Sequence, residues 1–371
     1  MNRLAVIALL AFGALFVGVA GAAAASRASE GAVFVQTNAP SGNEIVAFAR
    51  AADGSLTRTA TYATGGAGAV QSGAVVDTLA SQGSLALDRG HGLLFAVDAG
   101  SDALSVFSVD GSRLQLRQVI PTHGSFPSSV TVHGNLVYVL NAGGAGSVQG
   151  YRIEGAHLNE LHDGRRSLGL ANGEPPFFLT SPGQVGFSPD GSQLIVTTKG
   201  GTNGFEVFAV RPNGSLAAAP VVDAAATPAP FAFTFDEAGR LVAAEAGIDA
   251  VTTYALNADG TLTDPRSQTD GQNALCWITE ANGFFFVANA GSASISAYTV
   301  GADDEPSLIG VVAHTEAGAI DLAAAPDGKF LYGESGGAGT VDVFAVGDDG
   351  SLSELGVVSG LPVGIEGIAV G

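Results

Sequence analysis

The 371-residue sequence has one cysteine, Cys276, so it can form no intramolecular disulfide and carries no CxxC pair. Zinc-finger and thioredoxin-type chemistry are excluded on that ground. Cations are almost as scarce: two lysines (Lys199 and Lys329) and 13 arginines stand against 35 aspartates and glutamates, giving a formal net charge of −20. No basic run exceeds Arg165-Arg166. A surface of that sign repels phosphate backbones and anionic lipid headgroups, and no nucleic-acid partner is expected. Charged residues make up only 13% of the chain, against about a quarter in an average globular protein. No HExxH or EF-hand loop is present, which leaves zincin and calmodulin-type calcium readings without support.

What the chain has instead is glycine, 53 residues of it, the mark of frequent turns. Its single long apolar stretch, residues 4–25, follows Arg3 and ends in small residues suited to A-x-A cleavage. This reads as a secretory signal covering residues 1–25, although the stretch is also long enough to stay as an uncleaved anchor. The expectation is an extracellular bacterial protein with no membrane segment after cleavage.

A repeat organises the remainder. A strand-like segment recurs with an aromatic at a fixed place: Phe48, Phe107, Tyr151, Phe208, Tyr254, Tyr298 and Phe344. Their separations are 59, 44, 57, 46, 44 and 46 residues, or seven units of similar length with two insertions. An apolar β-like run precedes each segment and a polar-alternating run follows it. Hairpin signals such as Asp110-Gly111, Asp190-Gly191 and Asp259-Gly260 fall between the runs. Four short antiparallel strands in a period of about 45 residues is the signature of a propeller blade. The expected fold is all-β, a single seven-bladed propeller domain over residues 31–371. The ends supply one matching period between them, so residues 365–370 (IEGIAV) should return as the innermost strand of blade 1 and remove an open sheet edge.

In a propeller the innermost strands line a central channel, and function usually sits where loops gather at its mouth. Loops joining second to third strands carry Asp98, Asn141, Lys199, Glu245, Asn289 and Glu334, while approaches to inner strands carry His123, Ser128, Gln184, Asp321 and Glu366. The mouth is strongly acidic, with Lys199 its one strong cation on regular structure. Converging carboxylates raise one another's pKa, so that one serves as general acid while another stays charged. They equally suit an oxygen-ligated cation such as calcium, and each singly suits a turn cap. The inserts at residues 65–83 and 163–182 are placed to border the opening. The glycine runs at residues 143–147 and 336–340 occupy the same place in two blades and read as repeat turns. Cys276 reads as a buried small hydrophobe on the inner strand of blade 6.

Segments such as PDGKFLYGESGGAGTVDVFAVGDDGSLSEL (326–355) and GQVGFSPDGSQLIVTTKGGTNGFEVFAV (183–210) resemble the seven-bladed lactonase family, which includes propeller-type 6-phosphogluconolactonases and the fungal 3-carboxymuconate cyclase. VTVHGNLVYVLNAGG (130–144), TTKGGTN (197–203), ALCWIT (274–279) and FVANAGSASISAY (286–298) are similar to a secreted bacterial branch of it. The resemblance covers essentially all of the chain after the signal. It implies the propeller fold and a lactone hydrolase or cycloisomerase acting through channel-mouth residues. The family's Pro-His pair stands here as Pro127-Ser128, its Arg-His as Gly183-Gln184 and its Asn-Glu as Thr198-Lys199.

The candidate catalytic set is accordingly Lys199, Glu245, Asp321 and Glu334, with Asp98, His123, Asn141, Gln184 and Asn289 as ligand contacts. Lys199 would hold a substrate carboxylate or carbonyl oxygen, and one of the acids would move the proton. The expected partner is a small-molecule lactone or carbohydrate-like ligand on a monomer, with no obligatory cofactor and calcium as the fitting cation. The competing expectation is a non-catalytic extracellular propeller that binds a small molecule, glycan or protein on its loop face.

Overall fold

Burial peaks at the second strand of each repeat unit and falls away to the fourth, and that gradient dictates how the units assemble. Second strands such as Leu93–Asp98, Gln193–Thr198 and Phe330–Ser335 are buried at every position, as strands covered on both faces must be. Fourth strands such as Leu262–Thr269 are exposed at nearly every position. The computed structural model describes residues 29–371, and these form seven four-stranded antiparallel sheets arranged as a β-propeller. The apolar stretch read as an export signal lies outside the described residues. No helix among the described residues is long and apolar enough to cross a membrane.

The seven repeat aromatics lie on the third strands and are all buried, wedged between adjacent sheets. Burying each ring contributes about 2–3 kcal/mol, which is why the aromatic is the repeat's most regular feature. Where the ring is a tyrosine its hydroxyl finds an acceptor: Tyr151 donates to the Pro121 carbonyl at 2.7 Å and Tyr298 to that of Gln268 at 3.3 Å.

The innermost strands run Ile368–Val370, Leu85–Asp88, Pro127–His133, Pro182–Phe187, Pro230–Phe235, Leu275–Ala281 and Ala319–Ala324 in blades 1 to 7. In blades 3 to 7 the pairing of this strand slips near its first residue, between Pro127 and Ser129, Pro182 and Val185, Pro230 and Ala232, Leu275 and Trp277, and Ile320 and Leu322. Such bulges re-aim side chains. The residues they release include Ser128, Phe231, Cys276 and Asp321.

The chain ends close the ring as expected: Val33, Phe34 and Val35 pair with Val370, Ala369 and Ile368. The returning strand is shorter than residues 365–370, however, and spans only Ile368–Val370. Gly367, at φ +109°, turns the chain just before it, and a Cβ there would lie 2.2 Å from the Ser84 hydroxyl oxygen. The pairing continues irregularly past this turn, with Gln36 N–H donating to the Gly367 carbonyl at 2.8 Å and Glu366 N–H to the Gln36 carbonyl at 3.0 Å. A second difference concerns the insert at residues 163–182, whose start belongs to the outer strand His157–Ser167. The loop proper is residues 168–181.

Deleting residues 365–371 should lower the melting temperature by more than 10 °C and promote aggregation through the uncovered edge of Ser29–Gln36. An unchanged melt in scanning calorimetry would contradict this closure.

Candidate functional site

The insert at residues 65–83 does not lie along the rim of the channel; its last residues fill it. Its polar groups meet the inner strands, or the turns leading into them, of several blades. Leu79 N–H donates to Glu366 Oε2 at 3.1 Å (blade 1), and Val130 N–H donates to the Gly83 carbonyl at 2.8 Å (blade 3). Gln82 N–H donates to the Gly183 carbonyl at 3.0 Å (blade 4), and Trp277 Nε1 donates to the Ser81 carbonyl at 3.1 Å (blade 6). The Gln82 side chain pairs with both backbone groups of Ile278. A channel lined by strand ends exposes unpaired groups, and the plug satisfies them.

Above the plug, residues 70–76 meet the loop 168–181. Ser72 bridges to Phe177, with the Phe178 amide donating to the Ser72 carbonyl at 3.2 Å. Gly73 permits this crossing: it sits at φ +79°, and a Cβ there would lie 2.9 Å from the Phe177 ring. Val76 packs on the glycine turn of blade 7, where Cβ atoms at Gly318 and Gly336 would meet its side chain and carbonyl at 3.0 and 2.8 Å. The glycine-rich run at residues 336–340 is therefore a seat for the plug as well as a repeat turn.

Between plug, loop and blades 4 to 6 lies a cavity of about 490 Å³ that opens to solvent. Lys199, just after the second strand of blade 4, is 9% exposed and points into it. Its Nζ donates to the Ala80 carbonyl at 2.5 Å and lies 4.5 Å from the centre of the Phe231 ring, a cation–π distance. Burial lowers its pKa to about 8, against the opposing pull of Asp77, Cys276 and Glu366. Asp77, on the plug, shares this cavity, and its Oδ1 accepts the Ala80 amide at 2.5 Å.

Behind Asp77 lies a buried group of acids. Burial raises the Asp77 carboxyl, and hydrogen bonding from Glu366 opposes the rise. Glu366 is driven well above its ordinary range by burial and by the Asp77 charge. Its Oε2 accepts from Leu79 N–H and from Thr78 Oγ, each at 3.1 Å. Asp77 and Glu366 are thus a hydrogen-bonded pair of buried carboxyls, both raised above their ordinary range. Burial raises Asp321 to about 7 even though the backbone amides of Ile368, Leu322 and Gly83 donate to it. Glu334, buried and facing the Asp321 charge, lies well above its usual range and accepts from Gly367 N–H at 2.9 Å.

The structure thus brings three of the four expected catalytic residues, Lys199, Asp321 and Glu334, into one electrostatic group, and adds Asp77 and Glu366. Glu245 is elsewhere. Its carboxylate is consumed by Thr227, Thr252 and Tyr254 hydroxyls at 2.5–2.6 Å inside blade 5, beneath the repeat aromatic. Asp98, Asn141 and Asn289 occupy the equivalent position in blades 2, 3 and 6. They are buried and bind neighbouring polar groups, Asp98 to Asn43, Thr64 and Ser105, Asn141 to the Thr122 carbonyl, and Asn289 to Ser294 and Ser296. They staple the blades. Glu334 departs from this set because it is one residue earlier: Ser335 pairs with Thr340 as Asp98 pairs with Ala103. Gln184 ties blade 4 to blade 5 by accepting the Phe233 amide at 2.7 Å. His123 lies on the surface, 2.7 Å from Glu160 Oε1, away from the cavity.

Asp77 was missed because it lies in an insert rather than in a repeat position. Its signal is an acid alone in an apolar run, AVVDTLA over residues 74–80. Among the described residues no group of three or more His, Cys, Asp and Glu is placed to hold a metal ion. The Cys276 thiol lines the cavity and is pushed up by burial, so it stays protonated.

No family model matches the chain, and no curated protein matches it. Solved structures do. A candidate 6-phosphogluconolactonase from Bacteroides fragilis superposes with a TM-score of 0.72 at 18% identity, covering 93% of this chain and 99% of that one. A periplasmic gluconolactonase from Pseudomonas aeruginosa gives 0.70 at 18%, covering 91% and 98%. A catalytically inactive virginiamycin B lyase from Staphylococcus aureus is more distant, at 0.53 and 14%, covering 73% and 82%.

Four carboxyls whose protons are held more tightly in the folded state than in the unfolded one make folding take up protons. Their contribution is present below pH 4 and is lost as pH rises toward the folded values, near 7 for Asp321. Glu206 in blade 4, raised to about 7 by burial, acts in the same direction. The melting temperature should therefore be higher at pH 5.5 than at pH 8. Glu334→Gln should flatten that slope and raise the pH 8 melt by about 3 °C or more; a steeper slope in this variant would contradict the assignment. By both its blade architecture and these superpositions, the chain has the fold of the seven-bladed lactonase-type propellers.

Proposed function

We propose that the chain is an exported lactonase-type propeller whose reaction centre is the Lys199–Asp77 cavity. The observation that carries this reading is the buried Lys199 amine sharing a solvent-open cavity with the Asp77 carboxyl, which is hydrogen-bonded to Glu366. The names of the Bacteroides and Pseudomonas structures support lactone chemistry on this fold. The periplasmic placement in the latter's name fits export.

A lactone carbonyl in the cavity would direct its oxygen at Lys199, whose charge stabilises the oxyanion in a low-dielectric setting. Asp77 takes a proton from the attacking water as its oxygen bonds to the carbonyl carbon. The ring C–O bond then breaks, and the departing oxygen receives that proton from Asp77. The sum is addition of one water to give a hydroxy acid, with the enzyme unchanged. Glu366 keeps its own proton throughout and sets the basicity of Asp77.

Lys199→Met should lower kcat/KM about 10²–10³-fold, the range for loss of an oxyanion-stabilising group, and Asp77→Asn about 10²–10⁴-fold, the range for a general base, each with a cooperative melt retained. Glu245→Gln should leave turnover within about twofold and lower the melting temperature. Activity requires Lys199 protonated, so the rate should fall as pH rises through about 8. Full turnover by Lys199→Met in a pH-stat assay would refute this centre. Ligand binding without turnover by the wild type would favour the non-catalytic propeller.

A further inference from the structure

The walls of the cavity are of a different character from its floor. Lys199 and Asp77 supply its charged groups, whereas the rest of its lining is almost wholly apolar and includes Val75, Val76, Phe178, Leu179, Phe231 and Trp277. Trp277 has already spent its one donor on the Ser81 carbonyl, and Asp77 has spent one oxygen on the Ala80 amide. The hydroxyls of a sugar lactone would lie against hydrocarbon with no partner. A phosphate dianion would face one cation backed by the Asp77–Glu366 pair and a chain of net charge −20. Val75 and Leu179 stand at the opening 86% and 58% exposed. An occupant with a hydrocarbon tail would cover both.

From this lining we infer that the cavity takes a lactone or ester bearing a hydrocarbon substituent, with its carbonyl at Lys199 and its tail along Phe178, Leu179 and Val75. This rests on the hydrolase reading for turnover but not for binding. The molecule carries its own probe, since Trp277 is the only tryptophan in the sequence and forms part of the wall.

The test titrates purified protein with γ-lactones of 5 to 12 carbons, with glucono-δ-lactone and with 6-phosphogluconolactone, following Trp277 emission. Calorimetry repeats each titration, so that a silent fluorophore is not read as absence of binding. The expected result is tightening by up to about fourfold per methylene, corresponding to ~0.8 kcal/mol per buried methylene, with negligible binding of the sugar lactones. Leu179→Asp, a change at an exposed position, should abolish the length dependence without moving the melting temperature. Tighter binding of either sugar lactone than of the 12-carbon lactone, no dependence on length, or no binding of any alkyl lactone overturns the inference. The two readings fail separately. Length-dependent binding without acid release sinks the hydrolase and keeps the ligand class, whereas turnover of a sugar lactone with no response to the alkyl series does the reverse.

Discussion

The loop face of this propeller depends on one constraint: the central channel is filled by residues 77–83, whose backbone is held by inner strands from five blades. Because the plug excludes water, carboxyls that would be ordinary surface acids become proton-holding groups, and the amine of Lys199 is brought near neutrality. The same segment supplies Asp77 to the cavity and Ala80 as the lysine's acceptor. Plug and site are one piece of structure. A sequence that merely closed a seven-bladed ring would need none of it.

That arrangement has a cost in stability. Glu334 Oε1 is buried with no donor to meet it, and an apolar residue of similar volume would remove a desolvated acid. Stability is supplied elsewhere, by repeat aromatics between sheets, by polar staples such as Asp98 and Glu245, and by the seam at Val33–Val35. These parts are periodic. The strained and charged groups are gathered instead where the repeat is broken, as expected when a functional site is grafted on a fold.

The same division explains how much could be read from the sequence. Blade number, strand order and the joining of the termini were legible because each is a periodic property, stated seven times over by aromatics such as Phe107 and Tyr298. The site was legible only in part. Lys199, Asp321 and Glu334 were found as charged residues near the mouth, but Glu334 was found through a register one residue off. Glu245 looked equivalent to them until Thr227, Thr252 and Tyr254 were seen to occupy it. Asp77 could not be placed because nothing local in an insert fixes where its chain folds back. Bulges that aim Phe231, Cys276 and Asp321 inward leave no periodic trace either, since one extra residue in a strand looks like an ordinary strand.

The cavity has apolar walls around a single amine and carboxyl. The proposed chemistry rests on the state of that amine. With only two lysines in the sequence, Lys199 and the surface-exposed Lys329, the ε-carbon resonances of protein labelled with [13C]lysine can be followed individually through a pH titration. The account predicts that one resonance titrates near pH 8, vanishes in Lys199→Met, and titrates lower still in Asp77→Asn, which removes a charge that holds the proton on. Titration of both resonances in the ordinary lysine range, at about 10.4, would contradict the buried site.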